Sequence, residues 1–230
     1  MNIRIAHGAA DARALLKSRG PIVVIDALRM SATVIVALHL GMEVIPIATV
    51  KEALALKDKG NLTAGERGGK KLPELDFGNS PTELLTLGGR SDGLTGKSLA
   101  LTTSNGVASL LAVANHPAPV LIGSPLNLSA LATWIKNETP EELSLLLAGV
   151  DGRTAQEDAV AAALLLERLD EPIPSTLPAP MRFADLETLF LSTPSGQRLI
   201  SLGYEQDVRL CASVDRYPII PVFRGGRLTV

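Results

Sequence analysis

A short apolar run that ends in an acid constrains the fold of this chain more than any other feature. Residues 22–25 are four consecutive aliphatic side chains, long enough for a buried strand and too short for a helix. Asp26 follows at once, and the apolar stretch 31–40 has the length of a helix that Gly41 ends. A strand that leads into a helix places Asp26 and Arg29 at a strand's carboxyl end, which is where open α/β sheets hold ligands.

Composition excludes several classes of protein. Of the 230 residues, 46% are hydrophobic and 20% are charged, close to the globular average, and the formal charge of -2 gives no basic surface for nucleic acid. No apolar run approaches the roughly 18 residues of a membrane span, and the first residues lack a signal peptide's apolar centre. Cys211 is the single cysteine, which fits a reducing compartment. We therefore expect a cytoplasmic protein without nucleic-acid or membrane partners, and we leave homo-oligomer formation open.

Strand-like runs alternate with helix-like runs along most of the chain. Strands are predicted at 22–26, 44–48, 62–66, 98–103, 120–124, 143–149 and 208–214. This alternation predicts a three-layer α/β/α fold around a largely parallel or mixed sheet, with the ligand crevice at the carboxyl ends of the strands. We predict one domain over residues 1–230, with a division into two lobes left open, and a proline-rich connector at 170–180.

Local signals mark several helix starts and one hairpin. The S/T-x-x-E spacing of a capping box occurs at Thr49 with Glu52, at Ser80 with Glu83 and at Thr154 with Glu157. Asn127 is expected to cap a helix over 128–137, and the glycines at 225–226 predict a hairpin. The polar, glycine-rich segment 65–79 is predicted to be a functional loop.

Polar side chains follow the predicted strands at the points where they end. They comprise four acids (Asp26, Glu66, Glu157, Asp158), two arginines (Arg29, Arg67) and a set of small polar residues (Thr103, Ser104, Asn105, Gly106, Ser124, Asn127). Because the ends of parallel strands point the same way, these groups are expected to converge on one crevice. Carboxylate oxygens suit Mg²⁺, while arginines and the N–H groups of a helix start suit a phosphate. No histidine or cysteine cluster indicates zinc.

Six ordered motifs carry a family resemblance. They are Asp26-Ala27-Leu28-Arg29 with Ser31 and Thr33, Gly65-Glu66-Arg67-Gly68, Phe77-Gly78-Asn79-Ser80-Pro81, Thr102-Thr103-Ser104-Asn105-Gly106, Gly123-Ser124 with Asn127, and Glu157-Asp158. In this order they resemble the 2-phosphosulfolactate phosphatase family. Members of that family are Mg²⁺-dependent phosphatases of 2-phospho-3-sulfolactate in coenzyme M synthesis. The resemblance therefore implies an α/β phosphomonoester hydrolase whose substrate carries phosphate, carboxylate and sulfonate groups.

These observations lead to one set of expected roles. Asp26 and Arg29 are the expected catalytic residues, and Asp26, Glu66, Glu157 and Asp158 are the expected Mg²⁺ ligands. Substrate contacts are expected from Arg67, Asn79, Ser80, Thr103, Ser104, Asn105, Gly106, Ser124 and Asn127. Asp26 either attacks the phosphorus atom or acts through the metal by fixing a water, and the sequence leaves both routes open.

Other interpretations compete with these roles. Asp26 could serve only to accept hydrogen bonds from the turn that follows it. Arg29 could be the ion-pair partner of Asp26, and Glu157 could be only a capping residue. The whole chain could be a phosphatase of another small phosphorylated hydroxy acid, or a non-catalytic module that binds phosphate or sulfonate. The crowded acids argue against the last alternative, because uncompensated carboxylates repel an anion.

Overall fold

The computed structural model describes residues 1–89 and 93–230, which form ten β-strands and ten α-helices. In chain order they are β1 (Asn2–His7), α1 (Gly8–Leu15), β2 (Ile22–Ile25), α2 (Met30–His39), β3 (Glu43–Pro46), α3 (Val50–Lys57), β4 (Leu62–Arg67), β5 (Lys70–Lys71), α4 (Pro81–Gly88), β6 (Ser98–Thr102), α5 (Gly106–Ala112), β7 (Val120–Gly123), α6 (Leu128–Glu138), β8 (Glu142–Leu147), α7 (Gln156–Arg168), α8 (Phe183–Ser192), α9 (Pro194–Ser201), α10 (Glu205–Cys211), β9 (Val222–Arg224) and β10 (Arg227–Thr229). The predicted three-layer α/β fold is confirmed.

The sheet is mixed, with the strand order β1-β8-β2-β7-β9-β10-β3-β6-β4-β5. It contains two parallel blocks, β1-β8-β2-β7 and β3-β6-β4. The C-terminal hairpin of β9 and β10, predicted from its glycines, lies between the blocks and pairs antiparallel with each of them. Three successive antiparallel pairings therefore separate β7 from β3, so the two blocks run in opposite directions.

β2 and α2 form the centre of the core. All four residues of β2 are buried between β7 and β8, and α2 buries every residue except His39. A helix that is apolar on all sides is stable only when other elements surround it. The turn between them is closed by Asp26 and Ser31. The Asp26 N–H donates to Ser31 Oγ at 3.0 Å, and the Ser31 N–H donates to the Asp26 carbonyl at 3.0 Å.

The predicted strand at 208–214 is wrong, and β1 is missing from the predicted strands. Residues 205–211 form α10, which buries Val208 and Leu210 and packs against α8 and α9. Three apolar residues at alternate positions fit a strand as well as a short helix, so the local pattern could not distinguish the two. Cys211 is consequently buried in a helix. β1 was missed because most of its side chains are at least partly exposed.

Helix starts follow the predicted capping signals only in part. Thr49 forms the full capping box with Glu52. Ser80 accepts from the Glu83 N–H, although the Glu83 carboxylate turns to the Gly78 N–H instead of closing the box.

Two other expected caps are wrong. α7 begins after Ala155, so the expected box at Thr154 does not form, and Thr154 Oγ1 instead lies 2.9 Å from His7 Nδ1. Asn127 precedes α6, but its side chain caps the preceding 3-10 turn, Pro125–Asn127. The segment 65–79 is not a continuous loop, since β4 extends to Arg67 and pairs with β5.

The C-terminal helices share the main core. Phe190, Leu199 and Val208 belong to the same buried cluster as the side chains of β2 and β8. The proline-rich residues 171–180 form neither helix nor strand and connect α7 to α8. None of the helices in the described ranges has the length and apolarity that a bilayer crossing requires.

The hairpin should be essential for stability, because it joins the two parallel blocks. Leu228 of β10 is fully buried and pairs with Val44 of β3. We expect Leu228→Ala to lower the free energy of unfolding by about 2–5 kcal/mol, measured by denaturant titration. Thr229→Ala, at the exposed neighbouring position, is the control and should cost far less. Equal small effects would mean that the hairpin is an appendage.

Candidate active site

Asp26 lies at the end of β2, where a loop from the other block contacts it. Its side chain is buried, and Oδ1 accepts a hydrogen bond from the Met30 N–H at 3.2 Å. Oδ2 faces Gly106 at the start of α5, and a Cβ built on Gly106 would collide with it. A glycine is therefore required at position 106, because the backbone there approaches the Asp26 carboxylate too closely for a side chain. Contacts between loops, rather than a common strand direction, bring the two blocks together here.

The electrostatic environment of Asp26 disfavours its charged form. Burial is the largest cause and raises the pKa of Asp26 from 3.8 to about 7. The Met30 N–H lowers this pKa, the charges of Glu66 and Glu157 raise it, and the charge of Arg29 lowers it slightly. Three of the predicted acids are thus close enough to repel one another.

Glu66 ties the end of β4 to the loop after β6. Oε1 accepts from the Ser104 N–H at 2.7 Å, while Oε2 accepts from the Gly69 N–H at 2.6 Å and from Ser104 Oγ at 3.3 Å. The Ser104 N–H, expected to bind an anion of the substrate, is thus engaged by a carboxylate of the protein. Thr103 Oγ1 accepts from the Val107 N–H at 3.0 Å and caps α5, and Asn105 is half-buried beside it. Substrate contact by residues 103–106 stays a prediction.

The two acids of α7 differ in their hydrogen bonds. Asp158 braces the site, because Oδ1 accepts from the Ala27 N–H at 2.8 Å and Oδ2 from the Gly149 N–H at 2.9 Å. Burial, with the charges of Asp26 and Glu157, holds the pKa of Asp158 well above its ordinary value. Glu157 is also buried, yet its carboxylate receives no hydrogen bond from the described residues. The positive end of the α7 dipole lies at the start of the helix and offsets part of the repulsion between these carboxylates.

Arg29 is held by Asp207, which the sequence did not single out. Arg29 Nη1 donates to Asp207 Oδ2 at 2.5 Å, and their side chains are 1% and 0% exposed. Nη2 donates to the Gly69 carbonyl at 2.9 Å, and the guanidinium lies 4.2 Å from the Tyr204 ring centre. The alternative that paired Arg29 with Asp26 is wrong, since Asp207 is the partner. Catalytic contact between Arg29 and a substrate stays a prediction.

Asp207 also anchors the start of α4. Its Oδ1 accepts from Ser80 Oγ at 2.9 Å, from the Thr82 N–H at 3.0 Å and from Thr82 Oγ1 at 2.5 Å. Ser80 is therefore engaged inside the protein. Its neighbour Asn79 is buried with Oδ1 lacking a hydrogen-bond partner among the described residues, so Asn79 retains an acceptor for a ligand or water.

The remaining predicted substrate contacts fall into two groups. Arg67 is exposed, with Nη1 donating to the Glu66 carbonyl at 2.7 Å and Nη2 to Thr102 Oγ1 at 3.0 Å, so it lies across the ends of β4 and β6. Ser124 and Asn127 are buried, and Asn127 bonds to the Ser124 N–H and to the carbonyls of Ile122 and Ile219. These bonds brace the C-terminal segment, and a substrate role for Ser124 and Asn127 stays a prediction.

The acids fit a cation that is shared with water and substrate. Across residues 1–89 and 93–230, no three acid, histidine or cysteine side chains converge closely enough to enclose a metal ion. Mg²⁺ commonly takes only one or two carboxylates and completes its shell with waters and substrate phosphate. Asp26 Oδ2 and the Glu157 carboxylate provide hard oxygen donors not used by the described part of the protein. A cation there would also offset the repulsion that raises the pKa of Asp26.

Comparison with known proteins gives one consistent result. The family model for 2-phosphosulpholactate phosphatase matches residues 11–226. A probable 2-phosphosulfolactate phosphatase of Thermotoga petrophila is 34% identical over 211 residues, covering 89% of each chain. The 2-phosphosulfolactate phosphatase of Methanothermobacter thermautotrophicus is 35% identical over 213 residues, covering 91% of this chain and 89% of its own. A probable 2-phosphosulfolactate phosphatase of Thermus thermophilus is 33% identical over 214 residues.

The raised pKa of Asp26 predicts a pH-dependent cost in stability. In metal-free protein, a folded pKa of about 7 against 3.8 means that the folded state binds more protons between these values. The free energy of unfolding should therefore fall as pH rises through this window, at about 1.4 kcal/mol per pH unit for a single group. Asp26→Asn removes this loss, so the variant should be more stable than wild type at about pH 8 and similar at about pH 4.

Denaturant unfolding at several pH values, in the presence of a chelator, measures this difference. Asp58→Asn, at an exposed helix end, is the matched control and should leave the pH profile unchanged. A stability difference between wild type and Asp26→Asn that does not vary with pH would contradict the assignment.

The buried Arg29–Asp207 pair predicts a large stability effect. Asp207→Asn leaves the buried guanidinium without its counter-charge, so the free energy of unfolding should fall by about 3–5 kcal/mol. Asp185→Asn disrupts an exposed pair with Arg182 and should cost far less. In a double-mutant cycle, Arg29→Gln should cost much less when Asp207→Asn is already present. Additive losses would show that the two side chains are independent.

Proposed function

Because the chain belongs to the 2-phosphosulpholactate phosphatase family, we propose that it hydrolyses the phosphate ester of 2-phospho-3-sulfolactate. The products are 3-sulfolactate and inorganic phosphate, as in coenzyme M synthesis, and Mg²⁺ is the proposed cofactor. A cytoplasmic location accompanies this proposal and is supported by the single, buried cysteine. The observation that carries the proposed chemistry is the buried Asp26 carboxylate, enclosed by further acids where the loops of the two blocks meet.

Charge balance supports the proposed cofactor. The substrate carries phosphate, carboxylate and sulfonate groups, whereas Asp26, Glu66 and Glu157 make the surroundings negative. Substrate and site would repel each other strongly in a buried environment unless a cation lay between them. We assign Asp26 and Glu157 to hold Mg²⁺, because their oxygens are the least occupied. When bound, Mg²⁺ would supply charge neutralisation and polarise the phosphoryl oxygens.

The side chains of the protein supply the remaining chemistry. The Asp26 carboxylate is proposed to face the phosphorus atom, where it either forms a transient acyl phosphate or takes a proton from the attacking water. In both routes the ester P–O bond breaks, the departing substrate oxygen takes up a proton that comes from water and leaves as an alcohol, and the oxygen of that water is added to phosphorus. Arg67 is exposed beside Glu66 and is proposed to bind phosphate oxygens through the N–H groups that its hydrogen bonds to Glu66 and Thr102 leave free.

Arg29 is proposed to act indirectly, by holding the backbone next to Glu66. Its terminal nitrogens are used by Asp207 and Gly69, and the residue is 2% exposed, which leaves little surface for a substrate. By binding the Gly69 carbonyl it holds the glycine residue whose N–H binds Glu66. Arg29 is therefore proposed to stabilise the arrangement of the acids, in place of the direct substrate contact that the sequence predicted.

Phosphate release from synthetic 2-phospho-3-sulfolactate tests the proposed function. Wild-type protein should be active with Mg²⁺, inactive after chelation, and active again when Mg²⁺ is restored. Asp26→Asn keeps the shape of the side chain but removes its charge, so kcat should fall at least ~10²-fold, equivalent to roughly 2.7 kcal/mol. Asp58→Asn should retain full activity.

A different result would contradict each part of the proposal. Full activity after exhaustive metal removal would rule out the cofactor, and an active Asp26→Asn enzyme would reduce Asp26 to a turn-forming residue. Hydrolysis of 2-phospholactate but not of 2-phospho-3-sulfolactate would assign the enzyme to another phosphorylated hydroxy acid.

A further inference from the structure

The turn between β4 and β5 is held from two sides. On the side of the acids, the Gly68 N–H donates to Ser104 Oγ at 3.2 Å and the Gly69 N–H donates to Glu66 at 2.6 Å. On the other side, the carbonyl groups of the same two glycines accept hydrogen bonds from arginines of distant segments. The turn therefore contacts both the acid cluster and the C-terminal helices.

Arg198 of α9 is one of these arginines, and no sequence motif indicated it. Its Nε donates to the Gly68 carbonyl at 2.8 Å, across 130 residues of chain. Gly68 has a φ of +56°, and a Cβ built on it would lie 2.5 Å from Arg198 Nη2. The guanidinium thus packs directly on the glycine, and any side chain at Gly68 would displace it.

Arg198 differs from the other arginines of the C-terminal helices in its charge environment. Arg182 and Arg209 are each paired with acids of their own or a neighbouring helix. The guanidinium of Arg198 has no carboxylate within 4.0 Å among the described residues, and the residue is exposed. One hydrogen bond from Nε orients it, while Nη1 and Nη2 remain available for an oxyanion in a forked arrangement.

We propose that Arg198 is a specificity-determining residue that binds the sulfonate of the substrate. The inference rests on the proposed function, because it assigns one end of that substrate. Arg67 and Arg198 are exposed cations near the Gly68 peptide, one over β4 and β6 and the other on α9. Arg67 lies next to Glu66 and takes the phosphate end. Arg198 packs on Gly68 and takes the distal sulfonate.

Steady-state kinetics on three substrates test the assignment. The substrates are 2-phospho-3-sulfolactate, 2-phospholactate, which has a methyl group instead of the sulfomethyl group, and phenyl phosphate. Arg198→Gln should lower kcat/KM for the sulfonated substrate about tenfold or more, mainly through KM, with little change for the other two. Arg198→Lys should recover part of this loss. Arg209→Gln, an arginine of the neighbouring helix, should leave all three values unchanged.

Two results would overturn the assignment. Equal losses on all three substrates would show that Arg198 only braces the turn, and an unchanged kcat/KM on the sulfonated substrate would show that the sulfonate binds elsewhere. Thermal unfolding of each variant separates loss of folding from loss of recognition.

Calorimetric binding of 3-sulfolactate, with lactate as control, keeps the inference distinct from the proposed function. If the wild type does not hydrolyse 2-phospho-3-sulfolactate, the proposed function fails. The assignment of Arg198 then stands only if 3-sulfolactate binds to wild type at least tenfold more tightly than to Arg198→Gln. Binding that is absent or independent of Arg198 overturns it.

Discussion

The buried pair of Arg29 and Asp207 joins three segments that are distant in sequence. Asp207 comes from α10, Arg29 from the turn after β2, and the remaining donors to Asp207 from the start of α4. Burial of two charges is costly unless hydrogen bonds occupy their remaining donors and acceptors. Here both oxygens of Asp207 are occupied, and Arg29 also binds the Gly69 carbonyl. The pair therefore fixes the relative positions of the β4–β5 turn, α4 and the turn after β2.

The local sequence predicted that Asp26 lies between a strand and a helix, but it did not predict which distant residues surround this turn. The reason is physical. The strand and helix on either side of Asp26 follow from short-range apolar patterns, which is why β2 and α2 were predicted correctly. Asp207 lies 178 residues from Arg29, directly before a segment predicted to be a strand, so no local pattern could connect them. Gly106 was predicted within a motif, but the reason for a glycine, its contact with Asp26 Oδ2, exists only in the folded chain.

The topology of the sheet changes the reason why the site assembles. A single parallel sheet would bring all strand ends to one edge, but the C-terminal hairpin reverses the direction of the second block. The loops after β2, β4 and β6 meet through specific contacts instead. Gly106 packs against Asp26, and Glu66 binds the Ser104 and Gly69 N–H groups. The site is consequently sensitive to individual residues of these loops.

The four acids are stabilised unequally, and this difference identifies where a cation would matter most. Asp158 and Glu66 each receive two backbone N–H donors, and Asp26 receives one. Glu157 receives none from the described residues, although it is 2% exposed and adds to the repulsion that raises the pKa of Asp26. A buried carboxylate without donors is unfavourable unless a proton or a positive ion compensates it. A cation bound between Glu157 and Asp26 would thus favour the ionised form of Asp26, whose pKa is raised by burial and by the neighbouring acids.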